Sequence, residues 1–150
     1  MHRLLEIVLP HNLYMGQKDY QQCMVVKRLL ELTGLDKTVI LHISPTLREQ
    51  SGLAMSSRNM RLSQQQKTAA VAIYRALTMI RENIRPGSLE WLKQKATEQL
   101  QENEFRVDYV EISDAATLSP CQEWDGTSRL VALAAAFLGE VRLIDNLLLN

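Results

Sequence analysis

Two cysteines, Cys23 and Cys121, are all that these 150 residues contain. That is too few for a disulfide-stapled scaffold, and the three histidines, His2, His11 and His42, are isolated, so no zinc ligand set can be assembled. An excess of one charge is missing as well. Lys+Arg and Asp+Glu both total 17, and the signs are interspersed without a basic stripe or acidic tail. Nothing therefore draws the chain electrostatically to nucleic acid or to a membrane surface. The apolar opening Leu4-Leu5-Glu6-Ile7-Val8-Leu9 is too short and interrupted to span a bilayer, and it lacks a signal peptide's cleavage pattern. We read it as a helix end packed on a sheet. No internal repeat or low-complexity segment occurs. What remains is a 46% hydrophobic chain, long enough for one ordinary domain or two small lobes.

The first part reads as α/β. Leu13-Tyr14-Met15 leaves a strand and turns at Gly16 into a helix on which Tyr20, Cys23, Val26 and Leu30 fall one turn apart, with Met24, Val25 and Leu29 widening the stripe. Cys23 belongs to that apolar side and packs there. Gly34-Leu35-Asp36 exits into Thr38 to Ile43, a run that suits a buried parallel strand. A strand, a helix and a parallel strand in this order are of the doubly wound kind. After a loop from Ser44 to Asn59, Ser63 caps a long helix with the stripe Ala69, Ala70, Ile73, Leu77 and Ile80, ended by Arg85-Pro86-Gly87. Ser88 caps a second helix to about Asn103, with Leu89, Leu92, Ala96 and Leu100 on its apolar side. Three strands follow, Val107 to Ile112, Arg129 to Phe137 and Val141 to Ile144, the last two joined by Gly139-Glu140, a link of hairpin length. Cys121, in a Pro-containing loop, is expected at the surface. The economical arrangement is a three-stranded antiparallel sheet covered by two helices, with the boundary between lobes near Arg61.

Two polar runs carry chemistry. In Gly52-Leu53-Ala54-Met55-Ser56-Ser57-Arg58-Asn59, two hydroxyls and a guanidinium fork offer donors that match phosphate oxygens. The same Ser-Ser-Arg-Asn also suits a helix-capping turn. In Gly16-Gln17-Lys18-Asp19-Tyr20-Gln21-Gln22, the strand-to-helix junction is where open α/β sheets place ligands, and helix N-termini there attract anions. Lys18 adds a mobile ammonium; Asp19 either caps the helix or holds a hydroxyl or a metal-bound water.

Taken together in this order, Gly16–Gln22 and the run Pro-Thr-Leu-Arg-Glu-(x)2-Gly-Leu-Ala-Met-Ser-Ser-Arg-Asn from Pro45 closely resemble the pantoate–β-alanine ligase (pantothenate synthetase) family. The resemblance extends over the whole chain to Leu138-Gly139-Glu140-Val141-Arg142-Leu143-Ile144-Asp145-Asn146, similar to the family's closing strand. It implies a Rossmann-like nucleotide-binding domain of the nucleotidyltransferase superfamily that includes class I aminoacyl-tRNA synthetases, with Met55 to Arg58 standing at that superfamily's Lys-Met-Ser-Lys-Ser loop. Residues 1–60 would be the C-terminal part of that domain and 61–150 a small α+β domain.

The resemblance further implies that Gly16, Gln17, Lys18, Asp19, Met55, Ser56, Ser57 and Arg58 contact ATP, with Leu47 near the adenine, and that Gln22 hydrogen-bonds pantoate. Lys18, Ser56, Ser57 and Arg58 would stabilise charge on the phosphates. Many relatives carry Glu where this chain has Gln17. Mg²⁺ would arrive with ATP, and Arg48, beside Glu49, is a weaker candidate that a solvated ion pair would also explain. The partners implied are small molecules, ATP, pantoate and β-alanine, in a cytoplasmic, homodimeric enzyme whose dimer contacts lie largely outside these residues. The family's His-x-Gly-His turn has no counterpart here. The expectation is a C-terminal part of the enzyme, inactive alone; the alternative is a non-catalytic lobe retaining half a nucleotide site. A loop that closes over ATP should be mobile, so residues 50–59 are expected to be poorly ordered without nucleotide.

Overall fold

The spacing of Tyr20, Cys23, Val26 and Leu30 is realised as one buried stripe in a computed structural model that describes all residues 1–150. The chain forms two compact units, Met1–Thr46 and Leu47–Asn150.

In the first unit, helix α1 (His2–Val8) leads to strand β1 (Asn12–Gly16), a 3₁₀ turn at Gln17–Asp19, helix α2 (Tyr20–Thr33), a second turn at Leu35–Lys37 and strand β2 (Ile40–Ser44). β1 and β2 pair in parallel, from Asn12↔Ile40 to Gly16↔Ser44, so β1-α2-β2 is a crossover unit of the α/β kind. Gly34 takes the left-handed conformation (φ 70°) that ends α2, as its position predicted. Leu5 of α1 is buried with Leu30 and Val39, and Leu13, Leu29, Leu35 and Leu41 pack around them. The opening helix thus docks through Leu5, in keeping with its reading as a helix end on the sheet. Two expectations fail locally. Val25 is exposed rather than part of the stripe, and β2 is not buried, with Ile40 at 60% exposure. A strand in a two-stranded sheet lacks the second neighbour and the second covering layer that bury a parallel strand.

In the second unit, Ser63 begins helix α3 (Gln64–Asn83) through a capping box: Ser63 Oγ accepts from Gln66 N at 3.2 Å while Gln66 Oε1 accepts from Ser63 N at 2.9 Å. Strand β3 (Gly87–Ser88) follows, then helix α4 (Glu90–Glu102), strand β4 (Arg106–Asp114), short β5 (Glu123–Trp124), β6 (Leu130–Leu138) and β7 (Val141–Leu148). The three-stranded antiparallel sheet has the order β4-β6-β7, and Gly139 at φ 58° makes the two-residue β6–β7 turn. α3 lies on β6 and β7, and α4 on β4 and α3. Leu130, Ala132, Ala134, Ala136 and Leu138, alternate residues of β6, face the same core as Leu77, Ile80 and Leu100. No helix is long and apolar enough to cross a membrane.

Three local readings change. Ser88 stands one residue ahead of the N-cap: it joins β3, pairing with Glu123, and Leu89 takes the N-cap position, while Ser88 Oγ accepts from Glu90 N, the first residue of α4, at 3.4 Å. Cys121 is half-buried against the core, its thiol donating to the Glu123 carbonyl. The chain divides into its compact units between Thr46 and Leu47, ahead of Arg61. The difference is the 47–61 loop, which is tied to the second unit by Arg48 and Arg58 bonds to β7 and by Leu53 in the core.

Two aspartates fasten the turns around β5. Asp114 Oδ1 accepts from the backbone of Thr117 and Ala116 and from the Thr117 hydroxyl; Asp125 accepts from the Ser128 hydroxyl and from the backbone of Ser128 and Thr127. These bonds, led by backbone Thr117 at Asp114 and the Ser128 side chain at Asp125, hold both carboxyls below the usual aspartate value of 3.8. Their stabilisation is present in full above that value and lost as pH falls through the lower folded values. A melting curve of Tm against pH from about 5 to 2 should therefore drop less steeply for the double variant Asp114→Ala/Asp125→Ala than for the parent chain.

Candidate functional site

In the first unit the polar run lies where β1 hands over to α2. Gly16 ends the strand in extended backbone (φ −78°, ψ 132°), and a Cβ built there would meet nothing within 4 Å. Neither conformation nor packing demands glycine at this point. Gln17, Lys18 and Asp19 form the 3₁₀ turn, and Gln22 is exposed in the first turn of α2. Asp19 occupies the N-cap position, yet its side chain makes no cap hydrogen bond. Its carboxylate is thus at the helix start without doing a cap's work. Behind the turn, Cys23 is buried with its thiol on the Gly16 carbonyl at 3.5 Å. Burial, and then the Asp19 charge, push the Cys23 thiol up, so it packs as a neutral group.

In the second unit, residues 47–59 form a braced frame, more densely hydrogen-bonded than the expectation of poor order over 50–59 suggests. Arg48 and Ala54 bridge antiparallel, with Glu49 N donating to Leu53 O at 2.8 Å and Met55 N to Leu47 O at 2.9 Å. Leu53, Ala54 and Asn59 are buried, and Asn59 Nδ2 donates to the Ala54 carbonyl at 3.0 Å. Gly52 closes the tip at φ 95°, where an added Cβ would come within 2.5 Å of the Tyr74 ring. A backbone tied by this many bonds opens less readily than one without them.

From this frame the side chains of Leu47, Met55, Ser57 and Arg58 are exposed and Ser56 is half-exposed. The capping reading of Ser-Ser-Arg-Asn is realised: Ser56 Oγ accepts from Arg58 N at 3.2 Å and starts the 3₁₀ turn Ser57–Arg61. Arg58 rests one guanidinium nitrogen on the Arg142 carbonyl at 3.1 Å. Arg48 is not paired with Glu49 in solvent; it makes a bidentate pair with Asp145, which is buried. Sequence reasoning missed Asp145, Tyr74 and Asn59 as supports of the loop. An acid and an amide inside the apolar run Leu143-Ile144-Asp145-Asn146 were the available signal, since a buried carboxylate requires a partner.

The architecture is mixed α/β, and comparison narrows it. The family model for pantoate-beta-alanine ligase matches residues 1–148. The chain is 40% identical over 146 residues to a pantothenate synthetase of Azobacteroides pseudotrichonymphae, covering 97% of this chain and 51% of that protein. It is 42% identical over 147 residues to one of Pseudomonas aeruginosa, covering 97% and 50%. A solved pantothenate synthetase from Thermus thermophilus matches with a TM-score of 0.84 at 39% identity, over 97% of this chain and 52% of that one. A pantoate-beta-alanine ligase from Francisella tularensis, complexed with beta-gamma ATP and beta-alanine, matches with a TM-score of 0.66 at 31% identity, over 98% and 47%. The chain belongs to the pantoate-beta-alanine ligase family. It spans about half the length of the curated relatives it matches.

The two glycines should respond oppositely to alanine. Gly16→Ala fits its extended backbone and open surroundings, so stability should stay within about 1 kcal/mol of the parent. Gly52→Ala forces a Cβ into Tyr74 at positive φ and should cost at least ~1–3 kcal/mol. Both tryptophans, Trp91 and Trp124, lie in the second unit, so urea unfolding followed by fluorescence reads Gly52→Ala directly, and far-UV circular dichroism reads Gly16→Ala.

Proposed function

We propose that this chain is the phosphate-handling part of an enzyme that condenses pantoate with β-alanine at the expense of ATP. In the first step a pantoate carboxylate oxygen attacks the α-phosphorus, forming pantoyl adenylate and releasing pyrophosphate. In the second the β-alanine amine attacks the activated carbonyl carbon, loses a proton, and expels AMP to give pantothenate. Neither step needs a protein nucleophile. The work is positioning and stabilisation of charge as it builds on the phosphates.

Lys18, Ser56, Ser57 and Arg58 are the stabilising donors of this reading. Gly16, Gln17 and Met55 complete the ATP contacts by backbone and shape, Leu47 offers its exposed side chain to the adenine, and Gln22 orients pantoate. The chain gathers no cluster of three or more His, Cys, Asp or Glu that could cage an ion. Mg²⁺ would come with the triphosphate, and Asp19, whose side chain makes no cap bond, would hold its water shell. On this assignment residues 1–60 carry the nucleotide contacts, those of 47–59 presented from the second compact unit, with the rest of a Rossmann-like domain supplied from outside these residues, and the helices and sheet of 61–150 form the α+β domain. The setting is cytoplasmic and the working enzyme a homodimer, with no nucleic-acid or membrane partner.

The observation that carries the reading is the frame itself: flanking Ala54 and Asn59 are buried, while between them Ser57 and Arg58 are exposed and Ser56 half-exposed. Family membership and the ATP and β-alanine bound in the Francisella tularensis relative support it.

The assay is AMP release from ATP, pantoate and β-alanine. The chain alone should show no turnover, because jointly acting groups are not additive when half are absent. Mixing it with the unmatched half of the Thermus thermophilus relative, as a separate polypeptide, should restore release. In that mixture Lys18→Ala or Arg58→Ala should lower kcat/KM by about 10²-fold or more. A loss confined to melting temperature in Arg58→Ala would remove that residue from the chemistry, and normal turnover by the chain alone would overturn the reading of it as a part.

A further inference from the structure

Arg48 makes more contacts than an ion pair requires. Its Nη1 donates to Asp145 Oδ2 at 2.6 Å and its Nη2 to Asp145 Oδ1 at 3.0 Å, a two-point fork. The same Nη1 reaches the Gly52 carbonyl at 3.1 Å, and Nη2 the Asn146 carbonyl at 3.4 Å. The guanidinium lies 4.1 Å from the centroid of the Tyr74 ring, on the ring that forbids a side chain at Gly52. The side chains are 16% and 4% exposed. One planar group therefore joins the tip of the 47–55 turn to β7 and α3.

We infer that Arg48 and Asp145 are positioning residues: their clamp fixes where Met55 to Arg58 stand, and so fixes the placement of the phosphate donors. The inference rests on the phosphate reading of that loop. Three physical points carry it. A buried ion pair is a poor way to gain stability, since desolvation offsets most of the attraction, but its geometry is specific. A bidentate carboxylate contact plus stacking defines all three rotations of the guanidinium, which a lysine ammonium cannot do. The clamped turn leads into the donors without slack, because the Arg48–Ala54 bridge and the Met55 N to Leu47 O bond end where Ser56 begins. Transferring groups must be held to a fraction of an ångström, and a support of this kind supplies that precision.

The test uses the chain as it is, with amide hydrogen exchange read residue by residue. Met55 N–H and Asn59 N–H are hydrogen-bonded within the frame, the latter to Ser56 O at 3.0 Å, and report its opening. In Arg48→Lys and in Asp145→Asn these two amides should lose about tenfold or more in protection, while amides of α3 and β6 stay within about twofold of the parent. Should Asp145→Asn fail to fold, Arg48→Lys alone decides. Unchanged loop protection in Arg48→Lys, or a loss shared equally by α3 and β6, would overturn the clamp. Adding inorganic tripolyphosphate to the parent chain separates the two ideas. Added protection around Ser57 and Arg58 supports the phosphate reading. Loss of loop protection in Arg48→Lys with no response to tripolyphosphate keeps the clamp and discards the phosphate role, and the opposite pair of results does the reverse.

Discussion

The second unit depends on the packing of one strand. β6 is Leu-Val-Ala-Leu-Ala-Ala-Ala-Phe-Leu, and every residue but Phe137 is buried. As the middle strand it is hydrogen-bonded on both edges, and its small alanines leave room for α3 to approach through Ala70, Ile73 and Leu77. Small residues on the strand thus set the depth at which a helix of larger ones can sit. Because β7 is held by β6 and lies against α3, the acid Asp145 and the ring of Tyr74 are delivered to one place, and the 47–59 frame is assembled on them.

That dependence explains why the loop is not a flap hung between two ends. A segment with so little regular structure would ordinarily be among the first to open. Here burial of Leu53 in the α3 core and of Asn59 beneath Ala54 replaces regular secondary structure as the source of order. Exposed side chains on a fixed backbone are what a binding site requires if ordering is not to be charged against affinity.

Much of this was legible from residue order. The α2 and α3 stripes, the cap at Ser63, the hairpin at Gly139-Glu140 and the three antiparallel strands all follow from period, caps and turn chemistry, which are local. The family was legible as well, through the two polar runs and their order. What could not be read was long-range. The pairing of Arg48 with Asp145 joins positions far apart in the chain, and an arginine next to a glutamate looks locally like a solvated pair. The β3–β5 pairing that takes Ser88 into a strand is also non-local, as are the neighbours that decide how far Ile40 is covered. Periodicity indicates which face of an element is apolar; it does not indicate what stands opposite.

The Ser56 hydroxyl resolves a tension between the plain reading of the loop and the chemical one. As a cap, its oxygen receives the Arg58 N–H through a lone pair, and a hydroxyl has one proton of its own in addition to two lone pairs. Accepting from the turn therefore leaves that proton to give, and a hydroxyl polarised by a bond it accepts is the better donor. On the phosphate reading proposed for this loop, structural duty and ligand contact would use opposite ends of the same group. Replacement by alanine would remove both at once, whereas aspartate, a good cap itself, would separate them: it keeps the acceptor and, on that reading, sets a negative charge against an incoming phosphate without unravelling the turn.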